Sequence, residues 1–199
     1  MNYGELKDYF LELLNRNDIT DTQTDRFISL GLRRIERLLR TPLQRTSITF
    51  TVPANWGGGF GIPDDYLGFY YLKVNDIPVN RITANSAGKP YPGTPSEFYM
   101  DRGKFMFRPT LSEGDVIDLG YYQEFAQGVT STSVTNYSVV LGDLVVYAAL
   151  IYAADFFVDV RREGFKATFI DLQNEVQLMA DQDEMSGGVY VRNPYEGMC

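Results

Sequence analysis

Along the first forty residues apolar positions recur at helical spacing, through Leu6, Phe10, Leu13 and Leu14 in one stretch and Ile28, Leu32, Ile35 and Leu39 in the next. The pattern predicts one helix over Tyr3 to Arg16, broken by Asn17-Asp18, and a second that runs to about Arg40 and stops before Pro42. Capping candidates for the second lie in Thr20 to Thr24, with Asp21 or Thr22 ahead of Asp25 as the expected start. From Thr46 the period drops to two. Ile48, Phe50 and Val52 alternate with Ser47, Thr49 and Thr51, the signature of a half-buried strand.

After the connection Asn55 to Gly61, the segments Gly68 to Val74 and Pro78 to Ile82 read as a hairpin around Asn75-Asp76-Ile77, with Pro78 tolerable only at an edge. Ser86 to Pro95 reads as loop, and Lys104 to Arg108 and Val116 to Tyr122 as further strands, so about four to six short strands are expected. Helix returns from about Leu141 to Val160, apolar nearly all round and therefore enclosed by others. A last helix, about Glu163 to Asp183, is expected to turn Phe165, Phe169, Leu172, Val176 and Met179 inward and Asp171, Glu175 and Gln182 outward.

The fold class expected is α+β: a four-helix bundle of two N-terminal and two C-terminal helices, an inserted small antiparallel β domain and an extended C-terminal arm. The expected boundaries are residues 1–45 and 139–185 for the helices, 46–128 for the β-rich domain, 129–138 for a linker and 186–199 for the arm. The arm follows Ser186-Gly187-Gly188 and alternates Val189 and Val191 with Tyr190 and Arg192, a pattern suited to strand addition to another chain.

Charge adds the next constraint. The chain has a formal net charge of -8, yet Arg26 to Arg45 holds six of its eighteen basic residues. At about 100° per residue, Arg26, Arg33, Arg37 and Arg40 share one narrow helical face, opposite Ile28, Gly31, Leu32, Ile35, Leu38 and Leu39. Up to Thr110 there are fourteen basic and twelve acidic residues, net +2; beyond it four and fourteen, net -10. Such polarity suits a chain whose parts face other copies of itself with opposite potentials.

The same composition thins the list of chemistries. There is no histidine, which removes the commonest general base and metal ligand. The glycines of Trp56 to Gly61 lack the Lys-Ser or Lys-Thr of a phosphate loop, and Asp181, Asp183 and Glu184 lack calcium-loop spacing. Asp64-Asp65 follows Pro63 on a turn, where adjacent carboxylates point apart. Phe69-Tyr70-Tyr71, Phe98-Tyr99 and Tyr121-Tyr122 suit a core or subunit interface better than a sugar platform. Specific DNA reading through the arginine helix is disfavoured by the acidic balance and the want of a known reading motif. Cys199 is the only cysteine, so no disulfide within the chain is expected. The opening residues lack a secretory pattern, so the chain is expected to start in a cytoplasm, and Leu144 to Ala154, bracketed by Asp143 and Asp155, is too short to span a bilayer and reads as a buried core helix.

Several short stretches, taken in order, resemble the head-to-tail adaptors, or tail tubular protein A family, of short-tailed bacteriophages. They are YGELKDYFLELLN, FISLGLRRIERLLR, Ile62 to Leu67, Gly93 to Tyr99, Lys104 to Pro109, Gly120-Tyr121-Tyr122, the Leu144 to Phe157 helix and the ending Ser186 to Arg192. The resemblance implies a virion protein of the tail or neck, assembled in the host cytoplasm. It implies a ring, commonly a dodecamer, bound to the portal protein and the tail nozzle protein, through which genome DNA passes without specific binding. It implies no catalysis and no cofactor. A ring needs two unlike complementary surfaces on each subunit. Arg26, Arg33, Arg37 and Arg40 facing Asp171 and Glu175 of a neighbour or of the portal would supply them, with Val189, Tyr190, Val191, Arg192 and Tyr195 anchoring the arm to the portal. The competing expectation is a cell-wall or carbohydrate-binding virion module using exposed aromatics and Asp64 or Asp65.

Overall fold

A computed structural model describes residues 1–54, 56, 59–89, 91–125 and 130–185. The chain divides into two compact units, a helical one from Met1–Leu43 with Phe125–Cys199, and a β one from Gln44–Glu124.

In the helical unit, α1 (Tyr3–Leu14) and α2 (Asp21–Leu38) both begin with capping boxes. Asn2 and Glu5 close the first, and Thr20 and Gln23 the second. Each box satisfies two backbone N–H groups that a helix start leaves unpaired. The cap of α2 is thus Thr20, the first of the capping candidates Thr20 to Thr24, and the helix itself starts at Asp21. α3 (Asn136–Val140), capped by Thr135, begins inside the stretch 129–138 expected to be a linker and runs two residues beyond it, so the described α-helices number five. α4 (Gly142–Phe157) follows, and its central residues Val145 to Ala154 are buried except for the half-buried Tyr147 and Tyr152. Its last residue, Phe157, is three short of the expected end at Val160, and the cap residue Val158 adopts φ 54°. α5 spans Arg162–Met185.

α4 packs against α2, α5 and α1. Gly31 allows the closest approach of α2: a Cβ there would stand 2.9 Å from the Ala149 amide nitrogen and 3.1 Å from the Val145 carbonyl oxygen. α5 buries Phe169 and packs Phe165, Leu172 and Val176 against the same core, but Met179 and Leu38, both expected inside, are 58% and 50% exposed. Helical spacing gives an angle around the axis, and at these positions no element among the described residues covers that angle. Where the chain re-enters the unit, Glu36, 4% exposed, accepts the buried Phe125 backbone N–H at 2.7 Å.

The β unit holds two four-stranded sheets among its described residues. The first has the order β1 (Arg45–Thr51), β8 (Val116–Gln123), β3 (Tyr66–Val74), β4 (Ile77–Pro78), all antiparallel. Asn75 and Asp76, both with positive φ, form the two-residue turn that joins β3 to β4. Pro78 sits on the edge strand, where its missing N–H costs no ladder bond. The second sheet runs β2 (Phe60–Gly61), β7 (Lys104–Arg108), β6 (Glu97–Asp101), β5 (Asn80–Arg81), with β5 parallel to β6.

The single small antiparallel domain expected from the pattern is therefore two sheets, one of them mixed. The expected strand Pro78 to Ile82 splits at Val79 because its two halves join different sheets. β6 is an addition, and its pairing with β7 turns on Arg102-Gly103. Between the sheets lies an aromatic core that includes Phe60, Phe98, Phe105 and Tyr121 alongside Leu72, Val74, Ile117 and Leu119. No helix among the described residues is long and apolar enough to cross a membrane.

Candidate inter-subunit surface

The arginine face of α2 forms as its spacing demands, because burying Phe27, Ile28, Leu32 and Ile35 against α4 turns the opposite side outward. Arg26, Arg33 and Arg37 are exposed on that side. Arg26 and Arg33 have no ion pair among the described residues, and Arg37 reaches only the Tyr152 hydroxyl, at 3.3 Å. Arg40 is placed differently. Its guanidinium donates to the carbonyl oxygens of Glu36 and, at 2.8 Å, Leu39, closing the end of α2 with a positive charge where the helix dipole favours one.

Across the unit, Asp171 and Glu175 are exposed on α5, four residues apart on one face, and neither has a described partner. Within one subunit the two charged faces make no salt bridge with each other. A different kind of polar contact joins these helices: the Arg34 guanidinium lies 5.0 Å from the centre of the Phe169 ring. The arm residues Val189, Tyr190, Val191, Arg192 and Tyr195 lie outside the described residues.

Elsewhere charges are consumed locally. Asp159 binds Arg161 through its side chain and accepts the Arg161 backbone N–H, which together hold its carboxyl down at about 2. Arg161 continues to the carbonyls of Leu13 and Leu14 at 3.2 and 2.7 Å, tying the α4–α5 turn to the end of α1. Tyr3, hydrogen-bonded to Asp25, has its phenol pKa raised by burial first and by that carboxylate second.

The Asp64-Asp65 pair does not assemble as catalytic machinery. Asp64 is exposed, while Asp65 accepts the Tyr121 hydroxyl at 3.0 Å. Burial, and then that bond, push the Tyr121 phenol up to about 12. No cluster of metal-ligating side chains occurs among the described residues.

Sequence spacing did not reveal two apolar features of the helical unit. One is a cleft of about 120 Å³ lined by Thr41, Pro42, Leu43, Val140, Leu141, Val176, Met179 and Ala180. The other is the α4–α5 turn, where Phe156, Val158 and Val160 are 61%, 88% and 96% exposed. The signal for the turn was present in the sequence as FFVDV, an apolar run beside a charged clamp, but it reads equally well as the end of a buried helix.

A comparison with curated proteins gave no match. The family described as SU10 adaptor protein matches residues 1–192. With nearly the whole chain covered, the protein belongs to the SU10 adaptor protein family and is a structural adaptor component of phage virions.

Proposed function

We propose that the chain is one subunit of a head-to-tail adaptor ring, a dodecamer, seated between the portal protein and the tail nozzle protein at the neck of the virion. What carries the reading, beside family membership, is the pair of unlike faces: exposed Arg26, Arg33 and Arg37 on α2, exposed Asp171 and Glu175 on α5, and no ion pair for either among the described residues of the subunit. A closed head-to-tail ring requires such complementarity, each copy presenting to its neighbour the surface it does not itself match. In this reading the arginines of one copy meet the acids of the next and set register more than affinity, since rim charges are screened by salt. Arg40 shapes the end of α2 instead.

Genome DNA passes through the ring without specific binding. A chain of net charge -8 suits that task, because carboxylates lining a lumen repel phosphates and let the duplex slide. The arm, through Val189, Tyr190, Val191, Arg192 and Tyr195, docks on the portal by strand addition.

Reversing Arg33 and Arg37 to glutamate tests the ring. Electron microscopy of portal-bound particles is expected to show incomplete rings, and complete rings in that variant would remove the charge-pairing scheme. Ending the chain after Gly188 tests the arm: portal affinity should fall while circular dichroism of the monomer stays unchanged. Undiminished affinity would rule the arm out.

A further inference from the structure

The cleft and the exposed turn of the helical unit are both apolar, and they lie at opposite ends of α4. The cleft includes Val140 and Leu141, just before α4 begins, and the turn starts with Phe156 as α4 ends. A helix of this length spans about 24 Å. A subunit therefore cannot fill its cleft with its own turn. Two complementary features so placed make a heterologous contact, and repeating that contact produces a ring or a filament.

The turn is built to protrude. Val158 is a β-branched residue at φ 54°, ψ 44°, where glycine or asparagine is the usual choice. Its backbone is held by the Asp159 N–H bond to the Ala154 carbonyl, by the Asp159–Arg161 clamp and by Arg161 on the α1 carbonyls. Arg162 binds Asp155 and Glu163 on the other side. The surrounding charges are thereby paired with one another, and the valines are left as the unengaged chemistry of the turn. Exposed aliphatic side chains on a fixed backbone lose little further entropy on docking, so most of their burial is available as affinity.

The cleft matches this group in size and character. Its lining is almost wholly aliphatic, and an apolar cavity of roughly 150 Å³ accepts a benzene-sized group, so 120 Å³ suits one or two branched side chains. Charge complementarity points to a second copy of this chain as the occupant. Arg26 precedes Phe27, whose ring packs 5.7 Å from that of Phe156, so the turn lies beside the start of the arginine face. Glu175 precedes Val176 and Asp181 follows Ala180 in the cleft lining, so exposed carboxylates of α5 flank the cleft, while Arg40, which precedes Thr41 there, is turned onto the carbonyls of its own helix end. We infer that Val158 and Val160 of one copy insert into the cleft formed by Leu43, Val140, Leu141, Val176, Met179 and Ala180 of the next. The interface then has an apolar centre and a rim of arginine against carboxylate, the usual anatomy of a specific interface.

This inference rests on the ring reading, and its test separates the two. Full-length chain is mixed with the purified portal ring of the same phage, and retained copies are counted by electron microscopy and mass measurement. Val160→Lys and Met179→Glu, both at exposed positions, leave the monomer fold intact by circular dichroism and thermal melting. Each is expected to reduce retained copies about tenfold or more, the scale of one buried valine. The double variant, which sets lysine against glutamate across the contact, is expected to recover the ring. Wild-type occupancy in both single variants, beside a wild-type chain that forms rings, overturns the contact and leaves the ring standing. Loss in the single variants without recovery in the double also overturns it. A wild-type chain that forms no ring on the portal overturns the ring reading itself.

Discussion

Gly31 and Gly120 show how differently the two units bury their apolar residues. In the helical unit a Cβ on Gly31 would meet backbone atoms of α4 at 2.9 to 3.3 Å, so the contact joins two rigid cylinders. In the β unit a Cβ on Gly120 would strike the Tyr71 ring at 2.2 Å, so there a half-buried side chain covers a bare strand. The helical core is closed by main-chain fit and the β core by interlocking rings, with Phe50 contacting Trp56 and Phe60, and Phe98 contacting Phe69 and Phe105. Rings can shift to fill a gap, while helices in main-chain contact have little room to do so. The difference bears on the proposed function, because the helical unit carries the exposed apolar turn and cleft as well as both charged faces.

The sharpest way to break this contrast is to enlarge both glycines. Gly31→Val is expected to cost about 3 kcal/mol, the upper range for overpacking, since backbone must move. Gly120→Ala is expected to cost about 1 kcal/mol. The smaller loss should shrink further when Tyr71→Ser is introduced with it, whereas no side-chain change on α4 should relieve Gly31→Val. Urea titrations of wild type, the two glycine variants, Tyr71→Ser and the Gly120→Ala/Tyr71→Ser double check this, and equal losses at both glycines would erase the distinction.

Next in size is Glu36, which joins the returning chain to α2. Glu36→Leu leaves the Phe125 N–H buried without its acceptor and should cost about 2 kcal/mol by chemical denaturation. A loss below about 0.5 kcal/mol would show that another group takes the bond.

The smallest expected effect is a pH dependence confined to the helical unit. The Asp159 carboxyl is held at about 2 in the folded chain, against 3.8 ordinarily, so the folded state binds its proton less readily than the unfolded state. Its contribution is complete above about pH 4 and is lost as pH falls toward 2. Melting temperatures should drop over that window in the wild type, and Asp159→Asn should flatten that part of the curve. An unchanged slope in the variant would assign the acid sensitivity elsewhere.

Much of the helical unit was legible because amphipathic spacing and caps are local. Tyr3 to Leu14, the α2 arginine face and the inward Phe165, Phe169, Leu172 and Val176 follow from a period of 3.6 and from which face must leave water. Strands β7 and β8, and Pro78 at an edge, were legible for the same reason. The division of eight described strands into two sheets was not, because pairing partners are chosen between segments far apart in sequence. Val79 shows this: nothing in Ile77 to Arg81 says that its two ends join different sheets.

The candidate interface divides in the same way. Sequence alone determined that Arg26, Arg33 and Arg37 form an exposed stripe, since helical geometry fixes their common face. Only tertiary structure decided that Arg40 turns back onto its own helix end, that Met179 stays exposed beside a cleft, and that Val158 and Val160 stand in solvent. Periodicity reports which side a residue takes on its own element. Whether that side is covered depends on what the rest of the chain brings there, a sum over long-range contacts that no local pattern contains.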